Sequence, residues 1–336
     1  MIKDGKYAVG IQFNTPYIAE LSNATVCNEP LFLYVEKKIG ELSENIICTA
    51  SPLAFHVDEK TINEAKSFLS EYDVVEIGDE NETIIRFVKN ENGSLKKISY
   101  KTIRNYFDFF EESEKVKMEI IFMNIANGVR FASVDGVIIS PFAKIGKGTE
   151  IHASTEIRGE SVIGENCIIG PCSVISNSKI GNVCKVNATQ IYDAVLEDDV
   201  NIGPFSQVRP NSRLCSGVRI GDFVEIKNSV VGNDSHASHL TYIGDSDVGS
   251  KVNFGCGTVT SNYDGKNKFR TVVGDNVFIG CNTNLIAPVK VGNNSYVAAG
   301  STITEDVPEG SLGIARARQT VKEDWANKRR AEGKLK

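Results

Sequence analysis

Through the middle and C-terminal parts of the chain an apolar residue returns at every sixth position. The beat runs through Ile139, Ile145, Ile151, Ile157, Ile163, Ile169 and Ile175. It resumes at Ile202, Val208, Leu214, Ile220 and Ile226, and again at Val273, Ile279, Leu285, Val291, Val297 and Ile303. A helix repeats every 3.6 residues and a strand every two, so neither makes this pattern by itself. Glycine follows many beats directly, as at Gly146, Gly164, Gly170, Gly203, Gly221, Gly274, Gly280 and Gly292. A six-residue period with glycine at the turns marks a parallel β-helix. Each hexad is a short strand plus a turn, three hexads close a coil of about 18 residues, and the beat residue points into the prism. Unrelated strands of a sandwich would alternate apolar and polar positions and would not hold one register over successive hexads.

Residues 1–112 leave the beat. Ala8–Phe13, Ile46–Thr49, Val74–Ile77 and Ile84–Val88 read as strands, and Pro30–Leu42 as a helix carrying Leu33, Tyr34 and Ile39. Asp58–Tyr72 reads as an amphipathic helix, with Ile62, Ala65, Phe68, Leu69 and Tyr72 at helical spacing and Asp58 as N-cap. Thr102–Phe110 is aromatic-rich and is expected to pack. A connecting helix is expected from Ser113, which can cap it, to the stop signal Asn127-Gly128. Its stretch Met118–Ile125 is apolar on most faces and requires burial. The expected fold class is mainly β. A small α/β domain (1–112) and a linker helix with an entry strand (113–134) lead into the β-helix (135–307). A basic tail (308–336) with Arg316, Arg318, Lys322, Arg329, Arg330 and the only tryptophan, Trp325, follows. It is expected to fold back over the last coil, because a β-helix end exposes unpaired edges.

The beat breaks twice. Around Asn187–Asp199 its register drifts, which suggests a small insertion. Between Phe254 and Val273 a polar stretch, Asn262–Lys268 with Asp264-Gly265 as a turn signal, leaves the pattern. A loop thrown out of a rigid prism is a natural place for function, although a tolerated surface insertion would read the same.

The net charge of −6 argues against a general nucleic-acid binder. No apolar stretch is long enough to span a membrane, and Met1–Lys6 lacks the apolar core of a signal peptide, so the expected location is cytoplasmic. The eight cysteines include no CxxC pair, which disfavours a zinc knuckle and fits reduced thiols, several of them small core residues. A metalloenzyme would need about three convergent histidines. Only His152, His236 and His239 fall in the β-helix, and His152 lies several coils away.

One stretch gathers polar residues: Arg209-Pro210, Lys227, His236, His239-Leu240-Thr241-Tyr242, Asn253 and Asn262-Tyr263. Arg209 and Lys227 are one coil apart in sequence, and two stacked cations suit a phosphate, although isolated Arg and Lys are usually just solvated. His239 can take a proton at neutral pH, although a lone histidine is more often structural. A β-helix has flat faces and no deep pocket, so a ligand site requires a neighbouring prism, and a homotrimer suits a three-sided coil.

These residues sit in longer runs. They are Gln207-Val208-Arg209-Pro210, Gly221 to Lys227, His239 to Asp245, Ser261 to Gly265 with Asn267-Lys268-Phe269, and Gln319-Thr320 with Lys322-Glu323 and Trp325. In this order and spacing they resemble the acetyltransferase domain of the bifunctional UDP-N-acetylglucosamine pyrophosphorylase/glucosamine-1-phosphate N-acetyltransferases. The strong match covers residues 201–325, and a weaker one extends to about residue 113. The resemblance implies a left-handed β-helix, a homotrimer with sites between subunits, and acetyl-CoA as co-substrate. It implies His239 as the general base, with Arg209, Lys227, Tyr242, Asn253 and Lys268 binding the phosphorylated sugar. Asn262 and Tyr263 would hold the acetyl-CoA end, and Cys256, Cys281, Ala299 and Arg316 would line the cofactor. No metal is implied.

Two departures stand out. Where this chain has Cys256 and Cys281, the family commonly carries a small Ala or Ser. Where the family opens its nucleotidyltransferase domain with a glycine-rich, arginine-bearing loop, this chain has Val9–Pro16 without one. Asn28–Val35 and Asp73–Asp79 faintly resemble remnants of that domain, and the second could mimic a metal-binding aspartate at a strand end, although a lone Gly-Asp is weak evidence. The expected function is acetyl-CoA-dependent N-acetylation of an amino-sugar phosphate, glucosamine-1-phosphate first, without uridylyl transfer. Rival readings are an acyltransferase for another amino sugar or sugar nucleotide, and a non-catalytic trimeric scaffold.

Overall fold

The computed structural model describes residues 9–11, 25–40, 42 and 46–336. The chain folds as two compact units, Met1–Gly217 and Val218–Lys336. The first unit opens with a five-stranded sheet in the order Val9–Ile11, Ile47–Ala50, Thr83–Val88, Val74–Gly78, Leu95–Ser99. Its two outer pairings are parallel and its two inner ones antiparallel. The rest of the expected strand Ala8–Phe13 lies outside the described residues, as do residues 12–16 of the stretch that replaces the glycine-rich loop. Leu95–Ser99 is a strand that the sequence pattern missed, because its adjacent lysines, Lys96 and Lys97, put a charge on each face. Helices α1 (Leu31–Ile39) and α2 (Glu59–Phe68) accompany this sheet, around a core of Phe55, Phe87, Ile77 and Ile85. Asp58 caps α2 by accepting from the Thr61 amide at 2.7 Å. Burial works against its charge, but the hydrogen bonds from Thr61 and Tyr100 hold its carboxyl below the ordinary value.

The connecting helix α3 runs Tyr106–Ala126, so it begins seven residues before Ser113. Asn105 is the true cap, accepting from the Asp108 amide at 3.0 Å, and Ser113 instead donates back to the Phe109 carbonyl at 2.7 Å. The aromatic run is therefore the first turns of this helix. Phe109 is buried there, while Tyr106 and Phe107 are each 67% exposed. Only Ile120 and Ile121 of the Met118–Ile125 stretch are fully buried, and Phe122, Met123 and Ile125 face outward. A two-stranded hairpin over residues 25–30 clasps the coils: Asn28 donates to Glu156 at 3.0 Å and the Gly159 amide donates to Glu29 at 2.7 Å.

Both units carry parallel β-helix coils with three faces. Those of the first begin at Arg130–Phe131, which pairs with Glu150–Ile151, slightly ahead of the expected start. Every beat residue named above is buried except Ile145, which stands on the first rung of its face with no coil beyond it. Regular coils pair residues 18 apart, as in Lys144↔Val162. At the first break the pairs are 17 and then 16 apart, Ile168↔Lys185 and Val174↔Gln190. The expected insertion is thus a shortening, which the turns absorb with residues such as Asn177, Ala188 and Asp193 in the left-handed region. At the second break the pairs are 25 apart, as in Ser246↔Thr271, so this one is an insertion.

The second unit ends its last coil later than Val307, with Leu312–Gly313 paired to Tyr296–Val297. Beyond Ala315 the tail does not fold back into cover. Helix α4 (Trp325–Ala331) has no buried residue, and Trp325 is 47% exposed. The extra strand Leu312–Gly313 is itself the last rung of its face. Cys27, Cys48, Cys167 and Cys184 are buried core thiols, and burial pushes those of Cys27 and Cys48 up to about 12. All eight cysteines are free. Among the described residues no helix is long and apolar enough to cross a membrane.

Candidate functional site

The second unit uses coils of 17 residues where the chemistry collects. Strand Arg219–Asp222 pairs with His236–His239, which sets Asp222 directly beside His239. Asp222 Oδ1 lies 2.5 Å from His239 Nδ1. The hydrogen bond to His239 holds the Asp222 carboxyl below its ordinary value, so it stays ionised and accepts. The imidazole then donates from Nδ1 and leaves the Nε2 lone pair facing outward. His239 is an exposed side chain on the end of a rigid strand.

On the next face Glu225–Lys227 pairs with Tyr242–Gly244, and Lys227 registers on Gly244. A buried carboxylate, Asp245, organises this corner. It accepts from Lys227 Nζ at 3.3 Å, from Asn228 Nδ2 at 2.6 Å and from Asn262 Nδ2. Burial alone would raise Asp245, but the hydrogen bonds from Asn228 and Lys227 outweigh it and hold the carboxyl below its ordinary value. Lys268 stands beside Lys227, so a second amine neighbours the one that Asp245 holds. Tyr242 lies against Gly244, where a Cβ would come within 2.3 Å of the phenol oxygen.

The insertion that delivers Lys268 is a built loop. Asp264 accepts from the Lys266 and Asn267 amides at 2.8 and 2.6 Å, and Tyr263 bridges Lys268 in antiparallel fashion. Arg270 closes its base by donating to Asp247 and to the Asn228 and Ser246 carbonyls. Tyr263 itself is exposed and donates to the Gly265 carbonyl at 2.6 Å.

A column of small residues runs along one corner below His239. The Gly257 amide donates to Leu240, that of Asn282 to Cys256 and that of Gly300 to Cys281, at 3.1, 2.7 and 2.8 Å. Cys256, Cys281 and Ala299 are therefore stacked on successive coils. Close approach explains the glycines beside them: a Cβ at Gly255 would lie 2.5 Å from the Cys281 amide nitrogen, and one at Gly280 would lie 2.4 Å from that of Ala299. The Arg316 side chain ends the column, passing 3.7 Å from where a Gly300 Cβ would be.

The second unit thus brings Lys227, Tyr242, Asn262 and Lys268 into one cluster and His239, Cys256, Cys281, Ala299 and Arg316 into one column. Asn253 is half-buried and registers on His236, at the far end of the His239 strand. Arg209 belongs to the first unit, just after the strand Gln207–Val208. Sequence reading missed Asp222, Asn228 and Asp245. The signal was present, since Asp222 to His239, Asn228 to Asp245 and Asp245 to Asn262 are each separated by 17 positions, one coil of this region. Asp79, at the end of the stretch Asp73–Asp79, is occupied by Thr102, Arg104 and two turn amides, which hold its carboxyl well below the usual range.

Two stretches, residues 142–177 and 270–305, match the family model "Bacterial transferase hexapeptide (six repeats)". The chain is 52% identical over 202 residues to the "Bifunctional protein GlmU" of Halalkalibacterium halodurans, covering 60% of this chain and 44% of that protein. It is 44% identical over 299 residues to the protein of the same name from Caldicellulosiruptor saccharolyticus, and 44% over 306 residues to that of a Geobacillus species. These two alignments cover 88% of this chain, and 63% and 65% of the relatives. The likeness therefore reaches well into residues 1–112, further than the sequence motifs carry it. The chain spans about half to two thirds of the length of the curated relatives it matches. The chain is a parallel β-helix protein that is similar, over most of its own length, to the bifunctional GlmU proteins.

Proposed function

We propose that the chain transfers the acetyl group of acetyl-CoA to the amine of glucosamine-1-phosphate and does not carry out uridylyl transfer. The observation that carries this reading is the placement, within neighbouring coils, of an oriented imidazole, a paired-amine anion site and a column of small residues. Lys227 and Lys268 bind the sugar phosphate, and Tyr242 and Asn253 contact the sugar. Asn262 and Tyr263 hold the acyl end. The pantetheine arm lies along Cys256, Cys281 and Ala299, where side chains larger than these would block it, and Arg316 meets the cofactor's phosphates.

With Nδ1 committed to Asp222, His239 Nε2 accepts the amine proton as the nitrogen attacks the thioester carbonyl. The tetrahedral intermediate collapses by breaking the carbon–sulfur bond, and coenzyme A departs as its thiolate. No covalent enzyme intermediate is needed, because positioning and a base suffice. His239, Cys281 and the bulky left-handed turn residues Phe223 and Leu240 are all exposed in the single chain. A homotrimer would supply the wall that excludes water from them. The test is mass-spectrometric detection of N-acetylglucosamine-1-phosphate from the purified oligomer, acetyl-CoA and glucosamine-1-phosphate. Glucosamine and glucosamine-6-phosphate serve as rival acceptors, and UTP is added in a second arm. Product from the 1-phosphate alone, with no UDP-sugar, is expected. No product from the 1-phosphate overturns the assignment, and a UDP-sugar overturns the claim about uridylyl transfer.

A further inference from the structure

Cys256 and Cys281 lie outside the buried core. Both are free, Cys256 is half-buried and Cys281 is exposed, unlike the buried thiols of Cys27, Cys48, Cys167 and Cys184. They occupy the same register position on adjacent coils, tied by the Asn282 amide donating to the Cys256 carbonyl at 2.7 Å. Strands on adjacent coils lie about 4.8 Å apart. That separation falls within the Cα range that a disulfide spans. Cys256 is also one coil from His239, through the bond from the Gly257 amide to the Leu240 carbonyl at 3.1 Å. A small residue is all that the column requires here, so a pair of thiols is more than packing needs.

We infer that Cys256 and Cys281 form a dithiol modification site for the disulfide form of a pantetheine thiol, and that its oxidation closes the cofactor column. This rests on the proposed acetyl-CoA binding along that column. A cofactor sulfur seated for attack by an amine at His239 lies beside Cys256. When the cofactor is the symmetric disulfide of coenzyme A, the deprotonated Cys256 Sγ attacks the near sulfur. A Cys256–coenzyme A disulfide forms and one coenzyme A thiolate leaves. Cys281, one coil on, then attacks Cys256 Sγ, forming the Cys256–Cys281 disulfide and expelling the second coenzyme A thiolate. Two protein thiols are oxidised and one small-molecule disulfide is reduced to two thiols, so the electrons balance with no other oxidant. The closed pair ties two coils together across the path of the pantetheine arm.

The test incubates the purified full chain with coenzyme A disulfide or with glutathione disulfide at mildly alkaline pH, followed by peptide mapping. Cys172, an exposed thiol in the first unit, is the internal reference. Wild type is expected to gain the Cys256–Cys281 disulfide at least tenfold faster with coenzyme A disulfide than with glutathione disulfide, and excess acetyl-CoA should suppress it. Cys172 should react alike with both. Cys281→Ser should trap the mixed disulfide on Cys256, and Cys256→Ser should abolish the selective reaction. Acetyl-CoA binding is measured in parallel by calorimetry on the reduced wild type. Binding without selective oxidation of the pair overturns this inference and leaves the proposed activity standing. Absence of acetyl-CoA binding overturns both.

Discussion

Replacing Asp245 by alanine should loosen the anion cluster from beneath. The Asp245 side chain is 7% exposed and accepts from Lys227, Asn228 and Asn262. A hydrogen bond to a buried charged group contributes about 1.5–3 kcal/mol. Removing one partner of a buried ion pair costs about 3–5 kcal/mol, because the remaining charge is left uncompensated. Lys227 keeps 18% of its side chain in solvent. The lower end, about 3 kcal/mol, therefore applies, which is on the order of a 100-fold change in a local opening equilibrium. Coils of a solenoid open locally, so the assay is hydrogen exchange on peptides covering residues 259–270. Asp245→Ala should speed their exchange by about 100-fold at neutral pH. Asp245→Asn should fall between, because its amide oxygen still accepts from Lys227 and Asn262 while its NH₂ faces the Asn228 donor. The folded carboxyl is held below its unfolded value, so the stabilisation is complete above the ordinary Asp pKa of about 4 and fades as the pH falls below it. The gap between wild type and Asp245→Asn should therefore close in acid. Wild-type exchange rates for Asp245→Ala at neutral pH would refute the reasoning.

Three further outcomes follow from the same geometry. Gly255→Ala places a Cβ 2.5 Å from the Cys281 amide nitrogen, a backbone atom that cannot turn aside. It should cost about 1–3 kcal/mol through overpacking and lower the melting temperature by several degrees in differential scanning fluorimetry. An unchanged melting temperature would contradict the close coil spacing. Asp222→Asn should lower kcat by about 10–100-fold in steady-state kinetics, with KM for acetyl-CoA unchanged, because His239 loses its fixed tautomer. An unaltered kcat would remove Asp222 from the mechanism. Lys268→Ala should raise KM for the phosphorylated acceptor by roughly tenfold with little change in kcat, since the lost contact binds ground and transition states alike. A kcat loss with constant KM would place Lys268 elsewhere in the reaction.

How much of this was legible in the sequence depends on period. The hexad beat located the prism core residue by residue, because one inward side chain per rung is a demand that each strand repeats. It could not tell an insertion from a shortening at residues 187–199. A slip of one or two positions looks the same in either direction until the partners are known. Helix α3 began early because its first turn is aromatic and mostly exposed, so the apolar spacing that marks a buried helix face starts only near Phe109. In the site, residues whose chemistry is conspicuous, such as His239 and Lys227, could be named from the motif. Those that orient them, Asp222 and Asp245, act through one-coil spacing, and a 17-residue coil hides that relation from a reader counting in eighteens. The exposed tail was least legible, since its charge and single tryptophan fit a covering strap as well as the uncovered helix α4.

The most direct measurement is the turnover of wild type against His239→Ala, followed as N-acetylglucosamine-1-phosphate by mass spectrometry, with acetyl-CoA affinity measured on both. Loss of a positioned general base typically costs about 10²–10⁴ in rate. The account predicts a fall in kcat within that range, with acetyl-CoA binding retained, because His239 stands at the head of the column rather than along it. A variant that turns over within a few-fold of wild type would contradict His239 as the base.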